Sequence, residues 1–246
     1  MRAVIVGGTS GMGRAIARLL AERGDSTFLL GIGDDDLARS AADLQARHPQ
    51  RADTGSAICD LERPEQFAAA LDAADDALDG FDTFIVTAAM FATQEALEAD
   101  VELTRRLVTV NYANTVVLCE HARKRLIARG GGRLVVFSSV AGDRGRKPVA
   151  IYGSSKAGIA TYLEAMDHKF HAAGLSVLCV KPGFVKTAMT AGLKPPPFAG
   201  EPDDVAKAVV RAMDRGTPVL YAPGMWALVM LVIRWLPRFV MRRINF

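Results

Sequence analysis

Cysteine is scarce in this chain, and no pattern gives it structural work. Cys59, Cys119 and Cys179 are spread across 246 residues without a C-x-x-C pair. That fits buried thiols in a reducing compartment and argues against a disulfide framework or a cysteine-built zinc site. The four histidines, His48, His121, His168 and His171, do not cluster with cysteines or carboxylates at metal-ligand spacing. His168 and His171, three apart on an expected helix, read as a solvated face. The net charge is only +3 and no lysine- or arginine-rich run interrupts the chain, which speaks against a nucleic-acid partner. A secretory leader is missing: Met1-Arg2 enters a four-residue apolar run, Ala3 to Val6, too short for an h-region. The expectation is therefore a cytoplasmic protein. Linkers and internal repeats are absent too.

What is present is alternation. Half of the residues are apolar, enough for one substantial core, and one domain over 1–246 is expected. Strand-like apolar runs fall at 2–7, 26–31, about 55–60, 83–88, 133–138, 175–181 and 218–221, with helical segments such as 12–23 and 36–47 between them. Strands separated by helices mean right-handed crossovers. The expected fold is α/β, a Rossmann-like doubly wound parallel sheet of about seven strands with helices on both faces, in three layers. Gly130-Gly131-Gly132 ends a long helix, and residues 183–203, with Pro195-Pro196-Pro197, read as a functional loop or lid.

The first strand runs into Gly7-Gly8-Thr9-Ser10-Gly11-Met12-Gly13, and a helix follows. Glycine permits a sharp turn there and lets backbone N–H groups approach a pyrophosphate at the helix N-terminus. Tyr152 and Lys156 lie four apart at the start of an apolar-periodic helix, so they share a face. A neighbouring ammonium stabilises phenolate and should lower the tyrosine pKa from about 10 toward working pH, making it an acid or base for a carbonyl/alcohol pair. Ser139 lies thirteen residues before Tyr152 at the end of the fifth strand, Asn111 sits in Thr109-Val110-Asn111-Tyr112, and Lys181-Pro182-Gly183-Phe184-Val185-Lys186-Thr187 follows the sixth strand.

In this order and spacing, and in the G-x-x-x-G-x-G form of the first loop, the chain resembles the short-chain dehydrogenases/reductases, up to about residue 221. The resemblance implies an oxidoreductase interconverting a ketone and a secondary alcohol with NAD(H) or NADP(H). Residues 1–90 would form the dinucleotide-binding half and 91–221 the catalytic half. It also implies roles. Tyr152 would exchange a proton with the substrate oxygen, and Lys156 would hold the nicotinamide ribose. Ser139 would orient the carbonyl (the offset selects it over Ser138), and Asn111 would fix a water in a proton relay. The cofactor would lie along Gly7, Thr9, Ser10, Gly11, Met12 and Gly13, then Gly31 and Ile32, Asp60 and Leu61, and Ala88 and Ala89. At its nicotinamide end it would meet Tyr152, Lys156, Pro182, Gly183, Val185 and Thr187. Asp60 fits an adenine contact and, from spacing alone, a helix cap near Pro64 equally well. The family implies a homodimer or homotetramer. A non-catalytic regulatory or scaffold protein on the same fold is the alternative, and the complete set of four site residues speaks against it.

The chain departs from the family in places. After the fourth strand the usual N-N-A-G is Thr87-Ala88-Ala89-Met90. The second strand ends in Gly31 and Ile32, lacking both the acid of NAD enzymes and the arginine of NADP enzymes. Asp34-Asp35-Asp36 would repel a 2′-phosphate, Arg14 and Arg39 could offset them, and the aspartates also suit a helix N-terminus; the balance leans to NAD(H). After Gly224 come nine apolar residues, Met225 to Ile233, and from Arg215 to Phe246 there are five arginines and no acidic residue or lysine. Nine residues cannot span a bilayer. Trp226, Trp235 and Phe239 with Arg234, Arg238, Arg242 and Arg243 suit a segment (225–246) lying peripherally in a membrane headgroup region, at the inner face, or a subunit interface. This tail and the stretches 138–144 and 152–158 are similar to the decaprenylphosphoryl-2-keto-ribose reductase branch, which implies a keto group on a lipid-linked sugar.

Overall fold

A computed structural model describes residues 1–47 and 54–244; His48 and the last two residues of the tail lie outside the described residues. Seven strands, β1 (Arg2–Val6), β2 (Ser26–Gly31), β3 (Thr54–Ile58), β4 (Thr83–Val86), β5 (Gly132–Phe137), β6 (Leu175–Pro182) and β7 (Val219–Ala222), form one sheet in the order β3-β2-β1-β4-β5-β6-β7. Every pairing is parallel, so Ala3 is in register with Thr27 on one side and Thr83 on the other. The α/β architecture expected from the alternation is the one observed.

The helices are α1 (Gly11–Glu22), α2 (Asp34–Arg47), α3 (Phe67–Leu78), α4 (Gln94–Ala99), α5 (Val101–Val108), α6 (Thr115–Ala128), α7 (Ala150–Phe170), α8 (Pro202–Asp214), α9 (Met225–Trp235) and α10 (Arg238–Met241). Alternate strand residues serve opposite faces. Val4, Val6, Phe28, Phe84 and Val136 pack with Phe67, Leu118 and Ile159 from α3, α6 and α7. Ala3, Ile5, Leu29, Ile85 and Val135 pack with Ile16, Leu44 and Val209 from α1, α2 and α8. Both faces are therefore covered, which is why the central strands read as unbroken apolar runs.

Two stretches differ from the sequence reading. The helical region after β4 is broken. Asp100 caps α5, its Oδ1 accepting from the backbone N–H of Glu102 (2.9 Å) and Leu103 (3.0 Å), and a π-helical turn, Thr109–Asn114, separates α5 from α6. Such turns widen the helix and aim buried side chains sideways. The C-terminal segment is no appendage either. One side of α9 is buried, with Trp226, Met230 and Ile233 packing on Val140. Arg144 Nη2 donates to the Leu236 carbonyl (2.9 Å) and Lys147 Nζ to that of Arg242 (2.7 Å), capping carbonyls at helix ends. No described helix is long and apolar enough to cross a membrane.

The turn after β1 is set by space. A Cβ on Gly13 would lie 2.2 Å from the Gly7 carbonyl oxygen, and one on Gly7, whose φ is +84°, would lie 2.8 Å from Ala88 N. Neither neighbour is a flexible side chain. Gly13→Ala is therefore expected to cost about 1–3 kcal/mol through overpacking, read as a lower urea midpoint at constant slope. An unchanged midpoint would mean the two loops can move apart.

Candidate active site

The loops after β1, β2, β3 and β4 meet where the strand order reverses, between β1 and β4, at the carboxyl edge of the sheet. In open α/β sheets that is where ligands bind. A cavity of about 310 Å³ opens there, lined by Gly7, Thr9, Ser10, Gly11, Met12, Gly13, Gly31, Ile32, Asp60, Leu61, Ala88 and Ala89 among others. A second, of about 350 Å³, holds Ser139, Tyr152, Lys156, Pro182, Gly183, Val185 and Thr187. The two share Met12, Thr87, Ala89, Thr187 and Met189, so they form one groove.

The residues of the first cavity fit an extended dinucleotide. Ser10 is the N-cap of α1 in extended conformation, but its side chain caps nothing and the first turn holds no acid. The first N–H groups of α1 are thus left for an anion, with the helix dipole adding positive potential. Asp60 does not cap the short helix that begins at Pro64, whose N-cap is Arg63 without a side-chain cap bond. Its Oδ1 accepts from Glu62 N (2.9 Å) and orders the turn, while the residue also lines the cavity. Beyond Gly31, Ile32 is 76% exposed. Arg39 pairs with Asp36 at 2.5 Å, and Arg14 donates to the Thr9 carbonyl.

In the second cavity the end of β5 and the start of α7 bring three side chains together. Ser139 lines the cavity with Tyr152, its Oγ accepting from Ala141 N (3.1 Å), whereas Ser138 is buried and donates to the Lys156 carbonyl at 2.7 Å. Lys156 is 3% exposed and its Nζ donates to the Phe137 carbonyl (2.9 Å), about one helical turn from Tyr152, with Nζ 5.9 Å from the ring centroid. Phe91 meets the Tyr152 ring edge-on, centroids 5.2 Å apart. A Cβ on Gly153 would lie 2.7 Å from the Ala141 carbonyl, so glycine there lets the serine loop close on α7.

One expectation needs correction. Burial pushes the Tyr152 phenol up to about 12, against the opposing hydrogen bond from Ser139; the ammonium does not bring it toward neutrality. The reason is desolvation, which also pushes Lys156 down to about 8, so each group resists charging. Asn111 is 1% exposed and does not line the cavity. Its Nδ2 donates to the Met90 carbonyl (2.8 Å) and its Oδ1 accepts from Met90 N (2.7 Å), with Ser155 Oγ at 3.5 Å. The side chain thus pins the loop after β4 to the π-turn.

Several cavity residues went unnoticed in the sequence. Phe184, Leu193 and Pro196 come from the irregular stretch after β6, and Trp226 comes from the tail; both segments had stood out by composition. Phe91, Val149 and Arg146 also line the cavity and carried no signal. Trp226 explains Gly183, since a Cβ there would lie 2.1 Å from Trp226 Nε1. The three cysteines are buried, with burial holding Cys59 up to about 12 and Cys179 up to about 11. Among the described residues no cluster could hold a metal.

The lysine shift fixes the sign of a pH effect. Its folded pKa of about 8 lies below the ordinary 10.5, so below about pH 8 the fold carries a desolvated charge. That penalty is lifted as pH rises from about 8 to 10.5. Lys156→Met is expected to melt higher than the parent at pH 6.5, the gain shrinking by pH 9.5. A gain that stayed level across both pH values would refute the assigned penalty.

Comparison with known proteins places these observations. The family model for short chain dehydrogenase matches residues 1–197. An uncharacterized oxidoreductase of Mycobacterium tuberculosis is 35% identical over 98% of this chain and 95% of its own. A cis-4-hydroxycyclohexanecarboxylate dehydrogenase of Sinomonas cyclohexanicum is 29% identical over 84% of this chain and 86% of its own. The crystal structure of levodione reductase superposes with a TM-score of 0.82, at 23% identity, covering 92% of this chain and 97% of that one.

Proposed function

The chain belongs to the short-chain dehydrogenase family and is an NAD(P)-dependent oxidoreductase, and on that premise we propose that it reduces a ketone to a secondary alcohol. The observation that carries the reading is that Ser139, Tyr152 and Lys156 line one wall of a cavity continuous with the dinucleotide groove. A bound nicotinamide supplies the hydride. Ser139 and Tyr152 both donate to the carbonyl oxygen, and as negative charge develops there the phenol hands over its proton. A phenol held up to about 12 keeps that proton at neutral pH, the state an acid catalyst for reduction needs. Lys156, balanced near pH 8, holds the nicotinamide ribose and offsets the forming phenolate once the site is filled.

Arg14 of α1 and Arg39 of α2 support NAD(H) over NADP(H), since Arg39 is engaged by Asp36 and Arg14 by a carbonyl. The apolar walls of the cavity, Phe91, Val149, Phe184, Leu193 and Trp226, suit an apolar or lipid-bearing ketone. The Sinomonas relative, named for a cyclic hydroxy acid, supports a ring-bearing substrate, and the branch resemblance supports a keto sugar on a lipid. A scaffold protein would have no use for a serine, a tyrosine and a lysine on one cavity wall. Tyr152→Phe is expected to cut kcat by about 10²–10⁴-fold while leaving cofactor affinity intact, followed by reduced-cofactor absorbance against a panel of cyclic ketones. Undiminished turnover in that variant would sink the reading.

The outer face of α9 carries a second reading. Leu228, Leu231, Val232 and Trp235, with Phe239 beyond, are 56–81% exposed, and the arginines of the tail lie beside them with no acid. We assign this face to the headgroup region of an anionic membrane. Removing the tail would take Trp226 with it, so substitution is the sounder test. Leu231→Lys with Trp235→Lys is expected to abolish co-sedimentation with phosphatidylglycerol vesicles and to leave the elution volume unchanged. A parent that ignores vesicles, with a variant that falls to a smaller species, would identify a subunit interface of a homodimer or homotetramer instead.

A further inference from the structure

The ladder that joins β5 to β6 stops just short of the substrate cavity. Its register ends at Phe137 and Val180, and just beyond it the Ser138 N–H donates to the Val180 carbonyl (2.8 Å). The next parallel rung would need an N–H from Pro182, and proline has none. Ser139, Pro182 and Gly183 all line the cavity, yet among the described residues no backbone hydrogen bond joins the serine to the other two. The contact from Ser139 Oγ to the Pro182 carbonyl is long, at 3.5 Å.

A buried acid spans this gap. Ser139 and Asp143 are the two ends of one 3₁₀ turn, Val140–Gly142, stiffened by the Gly142 N–H on the Ser139 carbonyl (3.0 Å). From the far end of that turn Asp143 reaches across to β6 and β7. Its Oδ1 accepts from Lys181 Nζ at 2.7 Å and its Oδ2 from the Tyr221 hydroxyl at 2.6 Å. Lys181 immediately precedes Pro182, and Tyr221 is its register partner on β7. The carboxylate is 2% exposed and the lysine side chain 14%. Burial works against the Lys181 ammonium, but the hydrogen bond and charge of Asp143 hold its pKa above the ordinary value. Arg146, in the same loop, also feels that charge. A buried ion pair adds little to stability, since desolvation offsets the attraction, but it fixes a short and directed distance.

We propose that Asp143 is a positioning residue that, through Lys181, replaces the missing rung and sets the gap between Ser139 and the Pro182-Gly183 stretch. That gap decides where a carbonyl held by Ser139 stands against the nicotinamide. The proposal rests on the ketone-reducing reading above, so one arm of its test needs no turnover. In hydrogen exchange without cofactor, Asp143→Asn is expected to speed exchange in peptides covering 138–144 and 180–186 while those of β1 and β4 keep the parent's rate. Unchanged exchange, or acceleration in every strand alike, overturns the assignment. In turnover over the cyclic-ketone panel, the same variant should lower kcat about 10–100-fold, the cost of a displacement approaching about 1 Å, with KM little changed. In a Ser139→Ala background it should cost little more, because the two residues act through one contact; losses that simply add refute the link to the serine. Asp143→Leu with Lys181→Met removes both charges, which guards against a single variant that fails to fold. That pair of substitutions should restore the melting temperature but not kcat, and a parental kcat there would show an ion pair that only stabilises. Localised exchange with no turnover of any ketone by the parent keeps Asp143 as the link across the gap and overturns the ketone-reducing reading. Ketone turnover with unchanged exchange does the reverse.

Discussion

The close approach of the β1–α1 turn to the end of β4 is the contact on which the rest of the groove depends. Gly7 and Gly13 leave no side chain between them and their neighbours, and Thr87 ties the two loops together by donating to the carbonyls of Val6 (3.0 Å) and Gly7 (3.2 Å). Asn111 then fixes the next residues through Met90, and Asn114 reaches the Leu61 carbonyl (2.6 Å) behind β3. One π-turn therefore holds the ends of two strands by side-chain amides. The departure from N-N-A-G after β4 becomes intelligible here. Asparagine at the first position would leave this corner without its threonine hydroxyl, and the amides that brace the loop come from the π-turn instead.

Desolvation governs the chemistry at the other end of the groove. The same burial that raises Tyr152 and lowers Lys156 makes each reluctant to carry charge alone, so the site favours a proton-loaded phenol. Once charge develops on a substrate oxygen, the two groups become complementary. The Phe137 carbonyl gives Lys156 a neutral partner in the meantime. A buried cation with a neutral partner is poor for stability and good for a site whose counter-charge arrives during reaction.

The sheet and the positions of Ser139, Tyr152 and Lys156 were legible because they rest on local signals. Unbroken apolar runs mark strands buried on both faces, and an i, i+4 pair on a helix has a known direction. The tyrosine pKa was misread because a four-residue spacing gives proximity but says nothing of burial, and burial outweighed the neighbouring charge. The contact of Asn111 with Met90 was not legible, since it joins a side chain to the backbone of a loop twenty-one residues away. Arg146 was invisible for a plainer reason. In Arg144-Gly145-Arg146-Lys147 three adjacent cations look alike, and only the fold turns one of them toward the cavity.

The tail shows how far one element can be divided between tasks. Composition alone marked residues 225–246 as apolar and basic, and the natural inference was a peripheral attachment separate from the catalytic half. In the fold, α9 presents Trp226 to the cavity and Met230 and Ile233 to Val140, while Leu228, Leu231 and Trp235 remain outside. Val140 follows Ser139 directly, so anything that shifts α9 acts on the residue next to that serine. Arg144 and Lys147, bonded to carbonyls beyond α9 and α10, tie the same tail to the loop that carries Arg146. A helix that rested on a surface with one face and closed the cavity with the other would link where the protein sits to what enters its site. On the readings proposed above, an apolar ketone delivered at the outer face would reach a cavity that the same helix helps to close.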